Sequence, residues 1–133
     1  PVNKQLNVSN LKIKYHGLIN DLEEKKSIYD NCDVLLCPSY SEGMPNVILE
    51  AMSRGLAIIA SDVGAVSSLV SNENGVLLKS VEINSILSAI TLLIESNDAT
   101  ISLMKVESIK IISFKFTWNK ISLLFENKIS EIG

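Results

Sequence analysis

The sequence predicts an α/β domain in which a parallel sheet is covered by helices on both faces. Short apolar runs alternate along the chain with longer segments of helical periodicity, a pattern typical of such a sheet. Two of these runs, "CDVLLCPS" and "LAIIASDVG", show no regular alternation of polar and apolar residues, which indicates strands buried on both faces. The 133 residues, of which 47% are hydrophobic, suit one compact domain.

The first half of the chain is predicted to form two strands and two helices. "LKIKYHG" alternates polar and apolar residues, as a strand with one wetter face would, and "LINDLEEKKSIYDN" follows as a helix. Lys25 and Lys26 are expected on the solvated face of this helix. "CDVLLCPS" is a buried strand that Pro38 halts. "PNVILEAMSRG" is a short helix, with Pro45 at its first helical position and Gly55 as its left-handed stop.

The second half adds two strands and two longer helices. "LAIIASDVG" is a second buried strand, "VSSLVSNENG" forms one or two helical turns, and "GVLL" is a short strand. "VEINSILSAITLLIE" is an amphipathic helix, and residues 117–132 are predicted to form a closing helix that Thr117 could cap. Because a doubly wound domain usually has about five or six strands and only four are predicted here, the chain is expected to be the later part of a larger domain.

Composition and charge argue against several classes of function. A net charge of -3, without a basic stripe or a ladder of aromatic side chains, gives no general attraction to nucleic acid. The two cysteines do not form a Cys-x-x-Cys pair and there is one histidine, so neither a disulfide framework nor a zinc site is expected. No apolar run approaches the roughly 18–20 residues of a membrane span, and no signal peptide is visible.

The segment "PSYSEGMPNVILEAMSRG", residues 38–55, is the candidate binding site. It follows a buried strand, and ligands of open parallel sheets bind beyond the carboxyl ends of the strands. The first amides of the following helix, at Asn46 and Val47, carry the positive end of the helix dipole and suit a phosphate. Gly43 lets the backbone approach a ligand closely. The sequence therefore predicts an anion site at this turn.

Two glutamates, Glu42 and Glu50, flank the predicted anion site. A carboxylate can accept hydrogen bonds from two hydroxyls at once, so each glutamate could hold the hydroxyls of a ribose or a hexose. Other interpretations stay open on spacing alone. Glu50 and Arg54 are four residues apart and could form only a surface helix pair, and Glu42 could be a solvated loop residue.

Read as a whole, residues 38–66 resemble the signature of the retaining glycosyltransferases with the GT-B fold, the "glycosyl transferases group 1" family. The pattern is Pro-Ser-x-x-Glu-Gly-x-Pro-x-x-x-x-Glu-Ala-Met. Around it, "HGLIND", "YDNCDVLLCPS", "ENGVLL" and "FTWNKI" are similar to further segments of the family, so the resemblance runs from about residue 11 to residue 129. It implies a Rossmann-like sheet, the C-terminal half of a GT-B enzyme, with residues 1–133 as a partial nucleotide-sugar-binding domain.

The resemblance also implies a role for each candidate residue at the sugar and at the phosphates. Glu42 would contact the donor-sugar hydroxyls near the reacting centre, as the catalytic residue. Gly43 and Met44 would line the sugar through their backbone amides, and Asn46 and Val47 would meet the diphosphate.

The nucleoside part of the donor is assigned in the same way. Glu50 would hold the ribose hydroxyls, and the backbone at Gly17 and Leu18 would lie along the nucleobase. No bound metal and no further cofactor are implied.

The reaction implied is transfer of a sugar, a hexose, from a UDP- or GDP-sugar to a sugar or lipid-linked acceptor, with retention. "SYSEGMPN", with Asn46, is more similar to cell-surface sugar transferases than to starch or glycogen synthases, which implies polysaccharide synthesis. A cytoplasmic location is implied, at the inner face of the membrane if the full-length protein associates with it peripherally. The alternatives are a non-catalytic nucleotide-sugar-binding remnant and a GT-B-like nucleotide-sugar epimerase.

Two departures from the family pattern set further expectations. The family usually has a glutamate after its Asp-x-Gly-Gly turn, where this chain reads "DVGAVSSLV", with Ser67 and Ser68. The Arg and Lys pair that clamps the diphosphate in the family has no match in residues 1–10, and the amino-terminal acceptor domain is absent from the chain. Because positive charge on the phosphates stabilises the transition state, this chain alone is expected to be inactive.

Overall fold

The computed structural model describes residues 12–117, 119–123 and 127 of the chain. In chain order the helices and strands are α1 (Leu22–Asp30), β1 (Val34–Cys37), α2 (Asn46–Ser53), β2 (Ala57–Ser61), β3 (Gly75–Leu78), α3 (Ile83–Glu95) and α4 (Asp98–Lys115). A single 3-10 turn, Val66–Ser68, lies between β2 and β3. In the described part of the chain no single helix is long and apolar enough to span a membrane. The pair α3 and α4 meets that test only together, by length and composition, and is bent by 111°.

The three described strands form one parallel sheet in the order β1-β2-β3. Val34 of β1 is in register with Ala57 of β2, and Ile58 of β2 is in register with Gly75 of β3. Because β2 is the middle strand, all five of its residues are buried. The parallel arrangement brings the carboxyl ends of all three strands to one edge of the sheet, which is the edge where the candidate loop begins.

Helices cover both faces of the sheet, as the apolar strands predict. On one face Ile58 and Ala60 of β2 share a buried cluster with Ile48 and Met52 of α2. The intervening residue, Ile59, points to the other face, where it packs with α3. Successive side chains of β2 therefore pack into two separate cores, one on each face of the sheet. The prediction of an α/β sheet with two covered faces is confirmed.

A buried polar network fixes the turn that leads into β3. The side-chain amide of Asn74, fully buried, donates to the carbonyl of Leu69 at 3.1 Å and to Ser108 Oγ at 3.4 Å. Ser108 Oγ in turn donates to the carbonyl of Leu56 at 2.7 Å. Asn74 Oδ1 accepts from the amide of Ser71 at 2.8 Å. Since Ser108 belongs to α4, the network ties that helix to the turn and to the start of β2.

The prediction of a strand in "LKIKYHG" is wrong for the residues that the structure describes. Residues 12–17 form no strand, and among the described residues β1 pairs only with β2, so the sheet has three strands there rather than four. Leu11 lies outside the described residues. Ile13 and Tyr15 are 85% and 93% exposed, because no helix or strand of the described residues lies over the apolar face that the alternation predicts.

The sequence analysis also missed α4, the longest helix described. Its apolar residues do not form one stripe, because α4 contacts both cores: Ile101 and Met104 pack on the α3 side, and Ile111 and Ile112 on the α2 side. Asn97 caps it by accepting from the amide of Thr100 at 2.8 Å, which is a signal that the sequence offered.

The predicted closing helix, residues 117–132, lies partly outside the described residues. Residues 119–123 are helical, and the carbonyl of Thr117 accepts from the amides of Lys120 and Ile121, both at 3.0 Å. The extent of this helix stays a prediction.

Candidate functional site

The loop between β1 and α2 is held against the loop that follows β2. The carbonyl of Gly43 accepts a hydrogen bond from the amide of Ala65 at 3.0 Å. Gly64 has a φ of +55°, and a Cβ built there would lie 1.9 Å from the carbonyl oxygen of Glu42. Only glycine fits this contact, because a side chain would meet backbone in a conformation that L residues avoid. The peptide between Glu42 and Gly43 is thereby fixed at the carboxyl edge of the sheet.

The Glu42 side chain is half-buried and held at one oxygen. Ser39 Oγ donates to Glu42 Oε1 at 2.6 Å, a short charge-assisted hydrogen bond from the same loop. In the part of the chain that the structure describes, the other carboxylate oxygen has no partner. Glu42 is therefore oriented rather than freely solvated, with acceptor capacity left for a ligand.

The start of α2 presents open amides beside Glu42. Pro45 is buried and precedes the helix, whose first residue is Asn46, so the prediction that Pro45 is the first helical residue is wrong by one position. The amides of Ile48 and Leu49 donate to the carbonyl of Pro45, while those of Asn46 and Val47 find no acceptor among the described residues.

The surroundings of these amides leave room for an anion. Gly43, Met44, Asn46 and Val47 are exposed, and no acidic residue occupies the first turn of α2. Unpaired amides at the positive end of a helix dipole suit a phosphate.

Glu50 lies on the second turn of α2 and faces α1 rather than Arg54. Lys25 Nζ is 3.2 Å from both Oε1 and Oε2 of Glu50, and the Tyr29 hydroxyl donates to Oε2 at 3.1 Å. Arg54 instead forms a two-point ion pair with Asp30, with its Nε 2.7 Å from Oδ1. The interpretation of Glu50 and Arg54 as a surface helix pair is wrong, since α1 supplies a nearer partner for each of them.

The expectation that Lys25 lies on a merely solvated face is wrong for the same reason. Its ammonium reaches across to α2, whereas Lys26 pairs with Glu23 on the exposed side of α1 at 2.7 Å.

The protonation of two α1 side chains reflects these contacts. Burial raises the pKa of Tyr29 from 10.0 to about 12, and the hydrogen bond to Glu50 and the negative charge of Glu50 act in the same direction. The hydrogen bond from Arg54 lowers the pKa of Asp30. Tyr29 is therefore a neutral hydrogen-bond donor to Glu50 at neutral pH.

Gly17 and Leu18 lie in the segment before α1. Gly17 has a φ of +67°, and Leu18 is 87% exposed. Among the described residues no hydrogen bond joins either of them to α2 or to the loop before it. The structure thus brings together Glu42, the α2 amides and Glu50 along one loop and helix, and leaves Gly17 and Leu18 open to solvent beside α1.

A cleft of about 450 Å³ opens at the carboxyl ends of the three strands. Its lining includes Ser39, Tyr40, Ser61, Asp62 and Ser80. Ser61 is buried, and its Oγ has no hydrogen-bond partner within the described residues. No group of three or more His, Cys, Asp or Glu side chains in the described residues is placed to hold a metal ion.

The sequence analysis missed four residues that shape the site: Lys25, Tyr29, Ser39 and Gly64. Lys25 and Tyr29 are four residues apart on α1, which puts them on one face of that helix, but nothing in the sequence pairs that face with Glu50. Ser39 precedes Glu42 by three residues, a spacing at which a hydroxyl can reach a carboxylate in a loop.

Comparison with known proteins gives a consistent family. The family model of the glycosyl transferases group 1 matches residues 2–96. The N,N'-diacetylbacillosaminyl-diphospho-undecaprenol alpha-1,3-N-acetylgalactosaminyltransferase of Campylobacter jejuni is 33% identical over 94 residues, which are 70% of this chain and 24% of that protein. The UDP-Gal:alpha-D-GlcNAc-diphosphoundecaprenol alpha-1,3-galactosyltransferase of Escherichia coli is 40% identical over 75 residues, 56% of this chain and 19% of that protein.

A solved structure shares the fold. The crystal structure of the C-terminal domain of a glycosyl transferase group 1 family protein, LpcC, from Francisella tularensis aligns with a TM-score of 0.65 and 30% identity, over 77% of this chain and 52% of that one. The chain therefore spans about a quarter or less of the two curated relatives and about half of this domain. The family match over most of the length and the shared α/β fold place this chain in the glycosyl transferases group 1 family, with the Rossmann-like architecture of the C-terminal half of a GT-B glycosyltransferase.

Proposed function

We propose that this chain is the donor-binding part of a retaining glycosyltransferase that takes its sugar from a UDP- or GDP-sugar. The observation that carries the proposal is the row of open amides at the start of α2, at Asn46 and Val47, between two carboxylates that neighbouring side chains hold in place. An anion at these amides would have one polyol acceptor on each side. A nucleoside diphosphate sugar has this sequence of groups: a ribose, two phosphates and a hexose.

The diphosphate would lie at the start of α2. The amides of Asn46 and Val47 and the dipole of α2 would stabilise its charge, and the exposure of Gly43 and Met44 leaves room for the sugar next to it. An Arg and Lys pair from elsewhere in the intact protein would complete the clamp. Since that pair has no match in residues 1–10, the proposal includes that residues 1–133 alone transfer no sugar.

Glu42 is the residue we assign to the reacting sugar. Its free carboxylate oxygen would accept a hydroxyl of the donor hexose, while Ser39 keeps the other oxygen in position. In the transfer, the bond from the anomeric carbon to the diphosphate breaks as the bond to the acceptor oxygen forms on the same face. The acceptor proton passes to the departing phosphate oxygen. No side chain of this chain serves as a nucleophile in this scheme, and no metal takes part.

The acceptor is proposed from the relatives. The two curated relatives carry names that include a diphosphate-linked undecaprenol, so we propose a lipid-linked sugar as the acceptor and cell-surface glycan synthesis as the process. Transfer would then take place in the cytoplasm, beside the membrane that holds the acceptor.

Nucleotide binding by the intact protein tests the proposal. UDP, GDP and ADP, each alone and as a sugar conjugate, are titrated calorimetrically into the wild type and into Glu50→Ala. We expect one base to bind best, and Glu50→Ala to weaken that binding by about 1–3 kcal/mol, because a charged hydrogen-bond acceptor is lost. Glu107→Ala is the matched control. Glu107, like Glu50, is a helical glutamate that pairs with a lysine, but its helix is α4.

Four outcomes would count against the proposal. Equal affinity in Glu50→Ala and in the wild type removes Glu50 from the site, and binding of no nucleoside diphosphate removes the nucleotide-sugar assignment. Binding without transfer to any lipid-linked acceptor would favour a non-catalytic nucleotide-sugar-binding protein. Turnover of a free nucleotide sugar would favour an epimerase.

A further inference from the structure

Two side chains of α1 have no role in the proposed function so far, although they contact one of its central residues. Lys25 and Tyr29, four residues apart and on the same face of α1, both reach the Glu50 carboxylate. Lys25 is equidistant from the two oxygens, at 3.2 Å from each, and Tyr29 donates to Oε2 at 3.1 Å. Two side chains of α1 thus converge on a carboxylate of α2 that lies 25 and 21 positions later in the chain.

The contact is not needed to join α1 to α2, because another ion pair already does that. Arg54 of α2 forms a two-point pair with Asp30 of α1. The side chains of Lys25 and Glu50 are 37% and 42% exposed, and ion pairs at such exposure contribute little to folding stability. The same exposure leaves the carboxylate within reach of a ligand.

Acceptor capacity remains on Glu50 after both contacts are counted. An ionised carboxylate offers about four acceptor positions. Lys25 uses one on each oxygen and Tyr29 uses a second on Oε2, which leaves a position on Oε1. A sugar hydroxyl can therefore bind Glu50 without displacing either α1 side chain.

We propose that Lys25 and Tyr29 are positioning residues of the ribose site, which hold the Glu50 carboxylate in the orientation in which it accepts a sugar hydroxyl. This inference rests on the proposed function. A glutamate side chain loses rotamer freedom when it binds a ligand, and two fixed donors remove that freedom beforehand. Lys25 also offsets the charge of Glu50, which lies on the helix whose first amides would hold the diphosphate.

The test measures how strongly the intact protein prefers a ribonucleotide over its deoxy analogues. The best-binding nucleoside diphosphate of UDP, GDP and ADP is titrated alongside its 2′-deoxy and 3′-deoxy forms, and the larger loss of affinity defines the preference. The variants are Lys25→Met and Tyr29→Phe. Asp30→Asn is the matched control, because it breaks the other ion pair between α1 and α2 without touching Glu50. Thermal unfolding checks that each variant is folded.

We expect the ribose preference to fall at least about threefold in Lys25→Met and in Tyr29→Phe, and to stay within about twofold of the wild type in Asp30→Asn. Lys25→Arg, which keeps the charge, should retain more of the preference than Lys25→Met. In a Glu50→Gln background, Lys25→Met should change the preference no further, since the group that it positions is gone.

The two failures are distinguishable. If the wild type binds a nucleoside diphosphate with a ribose preference that Lys25→Met and Tyr29→Phe leave unchanged, the positioning role is wrong and the proposed function stands. If the wild type binds with no ribose preference, Glu50 is not a ribose ligand and the inference falls with that assignment. If no nucleoside diphosphate binds at all, the proposed function is wrong, and the inference with it.

Discussion

At the scale of single residues, the candidate site depends on one glycine, Gly64, that lies outside both α2 and the loop between β1 and α2. Gly64 follows β2, and the carbonyl of Glu42 lies where its side chain would be. This close approach and the hydrogen bond from the amide of Ala65 to the carbonyl of Gly43 hold the loop between β1 and α2 against the loop that follows β2. The position of Glu42 is therefore determined by a residue 22 positions later in the chain.

Replacement of Gly64 tests this dependence. Gly64→Ala should lower the free energy of unfolding by roughly 1–3 kcal/mol, because alanine at a φ of +55° is strained and its Cβ would meet the Glu42 carbonyl. Gly43→Ala is the matched control for stability: no atom of the described residues lies within 4 Å of a Cβ there, so its effect should stay within about 0.5 kcal/mol. Denaturant unfolding of the intact protein measures both. Similar losses in the two variants would show that the loop does not rest on Gly64.

Tyr29 gives a prediction for alkaline pH. Its pKa is raised from 10.0 to about 12 in the folded protein, so the folded state holds the phenolic proton more tightly than the unfolded state does. The resulting stabilisation is fully present below pH 10 and is lost as the pH rises from 10 to about 12.

The tyrosinate absorbance measures this pKa. The difference in titration between the wild type and Tyr29→Phe should show one group that ionises near pH 12. In Glu50→Gln that group should titrate closer to pH 10, because the charge of Glu50 is gone. A difference titration already centred at pH 10 in the wild type would contradict both the burial of Tyr29 and its contact with Glu50.

At the scale of helices and strands, the sequence predicts best what is decided locally. The bounds of β3 coincide with "GVLL", and α2 ends as Gly55 predicts, with a φ of +74°. A continuous apolar run predicts a strand, and a glycine after a helical run predicts where the helix ends, without any information about distant residues. "LKIKYHG" shows the limit of such signals, since its alternation predicts a strand, yet a strand also requires a neighbour, and residues 12–17 have none among the described residues.

The helix α4 shows a second limit. It contacts both cores, so its apolar residues lie on more than one side and give no simple helical stripe. The residue of α4 that is fully buried, Ser108, is polar, and its partners Asn74 and Leu56 are 34 and 52 positions away. The segment that ends at Asn74 and Gly75 was predicted to form one or two helical turns, but its contact with α4 was not predicted, because no local pattern encodes a contact at that separation.

Substitution of Asn74 tests the network that joins α4 to the turn. Asn74→Ala should cost about 1–3 kcal/mol of folding free energy, because the carbonyl of the buried residue Leu69 and the amide of Ser71 lose their partner. Asn84→Ala is the control, on the exposed surface of α3, and should leave the free energy of unfolding almost unchanged. Denaturant unfolding compares the two, and a cost for Asn74→Ala no larger than that of the control would contradict the role of the network.

At the scale of the whole molecule, the parallel sheet gathers the candidate site at one edge. The carboxyl end of β1 delivers Glu42, the carboxyl end of β2 delivers Gly64, and α2 carries Glu50 on its second turn. The sequence predicts this edge and its two glutamates, because a loop after an apolar strand and a helix start are local features. It could not predict that α1 supplies Lys25 and Tyr29 to Glu50, since that contact depends on how α1 packs beside α2.

The central claim is that the open start of α2 holds a diphosphate between Glu42 and Glu50. The most direct measurement is a crystal structure of the intact protein soaked with the nucleotide sugar that binds best in the titrations. The account predicts phosphate oxygens within hydrogen-bond distance of the Asn46 and Val47 amides, a ribose hydroxyl on Glu50, and a sugar hydroxyl on Glu42. A donor bound elsewhere, with both glutamates turned away from it and the start of α2 unoccupied, would contradict it.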